Sequence, residues 1–93
     1  MPNFKLGNLV MTRTINDTIA DSEDFSKEIM SVLRRYTSED WGDLSLGDKQ
    51  LNDSAVNTGN DRILAAYRTT KSKVYISTEW DRSYTCIMFA DEY

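Results

Sequence analysis

The side chains of this 93-residue chain that could do chemistry are mostly carboxylates. Glu39, Asp40 and Asp43 bracket Trp41, and Asp17, Asp21, Glu23 and Asp24 precede them. Carboxylates spaced in this way can occupy the basic groove of a nucleic-acid-binding protein, because the attraction that holds phosphates holds them as well. They can also bind a divalent cation or act as acid and base, or simply cap helices and cover a solvated face. For a cation the set is short. Asp40 and Asp43 offer no evident third ligand, and Mg²⁺ held by one or two carboxylates usually needs a substrate phosphate too. With no histidine and a single cysteine, Cys86, the chain has no imidazole base for a Ser-His-Asp or Cys-His arrangement and no tetrahedral zinc set. The expectation is therefore no catalytic residue, no metal and no cofactor. Cys86 lies between Thr85 and Ile87-Met88, where burial makes it a small hydrophobe rather than a nucleophile.

A second constellation has the opposite sign. Arg62, Arg68, Lys73 and Tyr75 fall in the C-terminal third, where a basic β surface bearing an aromatic ring could hold phosphates and stack bases. Glu79, Asp81 and Arg82 surround a charged turn beside Trp80. The charges are polarised along the chain. Between Asp17 and Asp61 eleven acids face four bases, net −7, while the remainder carries net +3, for a total of −4. A chain with 40% apolar and 11% aromatic residues is too hydrophobic to stay disordered, and its length suits one domain spanning residues 1–93. A lone cysteine fits a reducing cytoplasm, and Met1–Val10 lacks the basic start and unbroken apolar run of a leader. No apolar stretch approaches the ~20 residues of a membrane span.

The elements that must position these groups are legible in the periodicity. Leu9 to Ile15 alternates and is rich in β-branched residues, which favours a strand, with a turn near Asp17 and Asp21. Asp21 or Ser22 can cap a helix whose first turn holds Glu23 and Asp24 and whose last holds Arg34 and Arg35, matching the helix dipole. Phe25, Ile29, Val32, Leu33 and Tyr36 recur at helical spacing as one buried stripe. Thr37 to Leu44 reads as a turn anchored by Trp41, with Gly42 supplying backbone freedom. A second helix starts at Ser45, with Asp48 three residues on, carries a stripe of Leu51 and Ala55, and stops at Gly59.

From Arg62 the period becomes two. Strands over 62–69, 73–80 and 83–89 form a meander; a tip at Thr70-Lys71 sets Tyr67 against Val74, Ala65 against Ile76 and Ile63 against Thr78 on an inner face. Trp80 continues that face and is expected to be buried. The last strand is apolar on both sides, which predicts a central position with the first strand on its free edge. The expected fold is α+β, β-α-α-β-β-β, an antiparallel four-stranded sheet with two helices on one face.

Taken together, LVMTRTIND, EDWGDLS and ISTEWDRSYTCIMFADEY resemble a family of small proteins of Firmicute plasmids and conjugative elements, labelled plasmid-related or, loosely, restriction-associated. The resemblance covers most of the chain and is most specific at Trp41–Leu44 and Glu79–Ser83. It implies a mobile-element setting and supplies no catalytic residue. Combined with the acidic half, it leads to the expectation of a non-enzymatic inhibitor or modulator. Such a protein would bind a host protein, a nucleic-acid-binding component of CRISPR or restriction defence, through Glu39, Asp40, Trp41, Asp43, Glu79, Asp81 and Arg82. The alternative is a small nucleic-acid- or ligand-binding module that uses Arg62, Arg68, Lys73 and Tyr75. An interface at the acidic loop would leave Trp41 partly exposed; a structural plug would bury it.

Overall fold

Ile63–Arg68 (β2) and Lys73–Thr78 (β3) pair antiparallel in the predicted register, with Ile63 opposite Thr78, Ala65 opposite Ile76 and Tyr67 opposite Val74. The computed structural model describes residues 3–93, so Met1 and Pro2, the first positions of the segment read above against a leader, lie outside it. All six of those inner-face residues are buried. Tyr84–Phe89 (β4) pairs antiparallel with β3, placing Thr85, Ile87 and Phe89 on the same face. On its other side β4 pairs with Asn8–Met11 (β1), so the order is β1-β4-β3-β2 and β4 is central, as its two apolar faces required.

β1 runs parallel to β4, which makes the sheet mixed rather than antiparallel. No hairpin joins β1 to its neighbour: every helix lies between them in sequence, so no local turn dictates its direction. Among the described residues there are three α-helices, not two: Arg13–Asp21 (α1), Glu23–Thr37 (α2) and Leu46–Thr58 (α3). The strand expected to reach Ile15 stops at Met11 because the Thr12 hydroxyl accepts a hydrogen bond from the Ile15 N–H and caps α1. Helical spacing then carries Ile15 into the core and Ile19 against it, burial that a continued edge strand could not offer. Ser22 both ends α1, donating its N–H to Thr18, and caps α2, accepting from the Phe25 N–H. α2 buries Phe25, Ile29, Val32 and Tyr36 as predicted.

α3 begins at Ser45 and ends on left-handed Gly59 as expected, but its inward face is Asn52 and Ala55; Leu51 is 69% exposed. The reason is polar. The Asn52 amide donates to the Leu64 carbonyl and accepts from the Leu64 N–H, satisfying the outer edge of β2, and that pairing turns Leu51 outward. Trp80 is likewise outside, at 61% exposure. The chain leaves β3 at Thr78, the Arg82 N–H bonds to the Glu79 carbonyl, and Arg82 takes φ 60°, so the alternation that would bury Trp80 ends two residues before it.

A line of hydroxyls crosses the buried face. Tyr36 Oη lies 2.7 Å from Thr78 Oγ1, Thr78 Oγ1 lies 2.7 Å from Thr85 Oγ1, and the Thr85 hydroxyl donates to the Leu6 carbonyl at 2.7 Å. A carbonyl only accepts, so Thr85 must accept from Thr78 and Thr78 from Tyr36. Burial pushes the Tyr36 phenol well above its ordinary range, keeping it a donor.

Removing the middle of this line should cost about 1–3 kcal/mol, since Thr78→Val strands a buried phenol donor. Urea or thermal unfolding should show that loss for Thr78→Val and a smaller one for Thr78→Ser. Part of it should return in Tyr36→Phe/Thr78→Val, where donor and acceptor leave together.

Candidate functional site

The acidic loop grows out of the C-terminus of α2. The Asp40 N–H bonds to the Arg35 carbonyl and the Glu39 N–H to the Tyr36 carbonyl, the Schellman pattern, with Glu39 at φ 67° where glycine is usual. Asp40 then turns its carboxylate back onto the helix. Arg35 Nε donates to it at 2.7 Å and Arg35 Nη2 at 3.3 Å, and the Gly42 N–H adds a third bond. The Arg35 hydrogen bonds hold the Asp40 carboxyl below the usual aspartate range. The Tyr67 hydroxyl donates to the Asp40 carbonyl, and the Arg35 guanidinium lies 5.0 Å from the centre of the Tyr67 ring.

Trp41 points inward and is 3% exposed, edge-on to Tyr36 and beside Phe4, with its indole N–H donating to Asp53 at 2.9 Å. Its carbonyl accepts from the Ala66 N–H, and the Asp43 N–H returns to the Ala66 carbonyl. Gly42 lies so close to β2 that a Cβ there would collide with the Ala66 carbonyl oxygen. The loop is therefore a strap that closes the β2 edge and plugs the core. The partly exposed Trp41 required of an interface is absent.

The expected site residues do not converge on one surface. Asp43 pairs with Arg68 at 3.1 Å, so a member of the acidic set neutralises a member of the basic one. Glu39 accepts from Asn3. Glu79 accepts from the Tyr84 hydroxyl, and Asp81 accepts from the Ser83 N–H within its own turn. Arg82, expected among the partner-binding residues, donates instead to the carbonyls of Ala55, Asp61, Glu79 and Trp80, tying the end of α3 to the β3-β4 turn. Lys73 is exposed at the start of β3. Cys86 is half-buried rather than fully buried, and desolvation raises its thiol above the ordinary range. Among the described residues no three carboxylate or thiol groups come close enough to hold a metal ion, and no helix is long and apolar enough to cross a membrane.

What the fold does assemble is a band running from α3 onto the outer face of the sheet. Leu44, Leu51 and Leu64 floor a cleft of about 230 Å³ with Asp48, Asn52 and Arg62 in its walls. Arg62 continues the band: its guanidinium donates to the Tyr93 hydroxyl at 2.8 Å and lies over that ring, and Tyr93 stands edge-on to Tyr75 with centroids 5.5 Å apart. Of these residues the sequence pattern singles out Arg62 and Tyr75 alone. Leu51 reads as core until Asn52 is known to pair with the strand edge, and Tyr93 carries no periodicity. A larger hollow of about 470 Å³ lies between Thr14, Thr18, Lys71 and the 3-10 turn Ala90–Glu92. Its Glu92 carboxylate already accepts from the Thr12 hydroxyl and the Phe89 N–H.

Comparison with protein-family models, with curated proteins and with solved structures finds no match to this chain.

The two tryptophans should separate cleanly. Trp41→Ala is expected to cost ~3–5 kcal/mol and unfold much of the population, while Trp80→Ala should leave the melting temperature nearly unchanged. Iodide and acrylamide should quench Trp80 and spare Trp41 in single-tryptophan variants.

The Asp40 pair sets a pH dependence whose sign follows from its depressed pKa. Its stabilisation is complete above the ordinary aspartate value of 3.8 and is lost as pH falls through the lower folded value. Denaturant unfolding of wild type and Asp40→Asn should differ by a constant amount from pH 6 to 8, and the gap should close in acid below ~4, a small gap because the pair is half-exposed.

Proposed function

We propose that this chain is a non-enzymatic binding protein that engages a protein partner through the band from the Leu44-Leu51-Leu64 cleft to Arg62, Tyr93 and Tyr75. The observation that carries the reading is Arg62, which walls the apolar cleft on one side and lies on the Tyr93 ring on the other. One exposed leucine, Leu51, over the half-buried Leu44 and Leu64 and adjoining arginine and tyrosine has the composition of an interface hot spot, where apolar area is buried behind a polar rim. Leu46 at 72% and Leu51 at 69% exposure both lie on α3.

The partner is a host defence protein that handles nucleic acid, and the chain acts as its inhibitor. The resemblance at Trp41–Leu44 and Glu79–Ser83 to proteins of mobile elements supports that choice, as does the net charge of −4, which suits a basic partner. Charge mimicry through the Glu39–Asp43 loop is not required: Asp40 and Asp43 already face Arg35 and Arg68, and the cleft has its own acid in Asp48.

A second reading rests on the same aromatic pair. Tyr93, Tyr75 and Arg62 on one sheet face could stack single-stranded bases. Retention of single-stranded DNA or RNA by the intact protein at low salt, lost in Tyr93→Ala, would favour it over a protein partner.

The leading reading is tested by plasmid transformation into hosts with defined restriction or CRISPR systems. Expression of the protein should raise transformation of a targeted plasmid in one of them by about ten-fold or more, and Leu51→Asp and Arg62→Ala should each remove the effect while melting unchanged, as exposed positions allow. Relief of no system, or full relief by Leu51→Asp, would reject it.

A further inference from the structure

The sheet has two edges, and only one is closed. Along β2 the outward backbone groups of Leu64 are taken by Asn52 and those of Ala66 by Trp41 and Asp43, which covers the strand up to Arg68 at its hairpin end. Along β1 the N–H groups of Asn8 and Thr12 point inward, to the Ser83 and Ile87 carbonyls. The alternation of a strand therefore turns the N–H and C=O of Leu9 and the N–H of Met11 away from the sheet. Among the described residues none of these three groups has a hydrogen-bond partner. The segment Asn-Leu-Val-Met also lacks the charge, proline or bulge that usually protects an edge, and Leu9 and Val10 are each 42% exposed.

We propose that β1 accepts an added strand: an extended segment of a partner protein, apolar at its centre and acidic at its ends. Backbone donors and acceptors in this arrangement are satisfied together only by another extended chain, whose alternate side chains then meet Leu9 and Met11 on one face or Val10 on the other. Charge decides which chain. Between Asn3 and Asn16 there are two bases, Lys5 and Arg13, and no acid, although the protein as a whole is acidic. Arg13 is almost fully exposed and only loosely paired, 3.9 Å from Asp17. Glu92, an acid at the C-terminal end of β1, is already engaged by the Thr12 hydroxyl and the Phe89 N–H. A second copy of β1 laid antiparallel would bring another Lys5 and Arg13 against this pair, and like charges facing across strands are destabilising. Acidic flanks meet it with the favourable sign. This edge is separate from the α3 band, so the proposal stands whichever partner that band takes.

The test uses two synthetic nine-residue peptides with the same alternating Val-Thr core, one with Asp-Glu flanks and one with Lys flanks. Hydrogen exchange followed by NMR should show the Leu9 and Met11 amides slowed about ten-fold or more by saturating acidic peptide, with no such change at Asn8 or Val10. The lysine-flanked peptide should bind at least about five-fold more weakly at low salt, a gap that narrows as salt is raised. Leu9→Pro removes an N–H that the sheet does not use, a position where an edge strand tolerates proline, and should abolish peptide binding in a folded protein. Should that variant unfold, Lys5→Glu/Arg13→Glu replaces it and must reverse the preference between the two peptides. Unchanged Leu9 and Met11 exchange, or equal affinity for both peptides, overturns the proposal. So does protection of these amides in the peptide-free protein together with the mass of a dimer, which would identify a second copy as the occupant.

Discussion

A phenol in the middle of an apolar core must have an acceptor, and the way Tyr36 finds one organises the molecule. Its hydroxyl starts the line through Thr78 and Thr85 to the Leu6 carbonyl, so one set of hydrogen bonds links α2, both central strands and the segment that leads into β1. Its ring receives Phe4 and Trp41 edge-on. The N-terminal segment supplies the carbonyl that ends the line and Asp53 takes the Trp41 indole N–H, and no described buried side-chain polar atom is left without a partner.

The same requirement explains where the acids go. Asp40, Asp43 and Asp53 sit in a stretch that reads as an acidic surface, yet each has an internal partner. Asp40 closes the helix end with Arg35, Asp43 meets Arg68, and Asp53 accepts the Trp41 indole N–H. Carboxylates in these roles stabilise the strap that shields β2. The local charge around the loop is thereby reduced. The features less committed to the interior lie elsewhere: the exposed leucines of α3, the Arg62-Tyr93-Tyr75 group and the open edge of β1.

The two sheet edges are treated unequally by the same rules. A side-chain amide and a short parallel bridge cover β2 at Leu64 and Ala66. β1 keeps its outward groups open to solvent, and its four-residue length limits nonspecific pairing while leaving room for a selective one.

Much of this was determined by the sequence alone. The α2 stripe with its Ser22 cap, the start of α3 at Ser45 and its stop at Gly59, the hairpin register from Ile63 to Thr78 and the central position of β4 all follow from spacing and capping chemistry, which act over a few residues. Local pattern did not choose between strand and helix at Arg13 to Ile15, because the alternation of Leu9 to Ile15 reads as a strand and only the helix carries Ile15 into the core with Ile19 against it. Nor could it set the direction of β1, which has no hairpin to its neighbour. Leu51, Trp41 and Trp80 were decided by partners distant in sequence. Asn52 bonding to Leu64 turns Leu51 out, Tyr36 and Asp53 hold Trp41 in, and Arg82 reaching the carbonyl of Ala55 fixes the turn that leaves Trp80 in water. Polar satisfaction at long range belongs to the tertiary structure, because a donor's need is visible in its residue type and its acceptor is known only once the chain has folded.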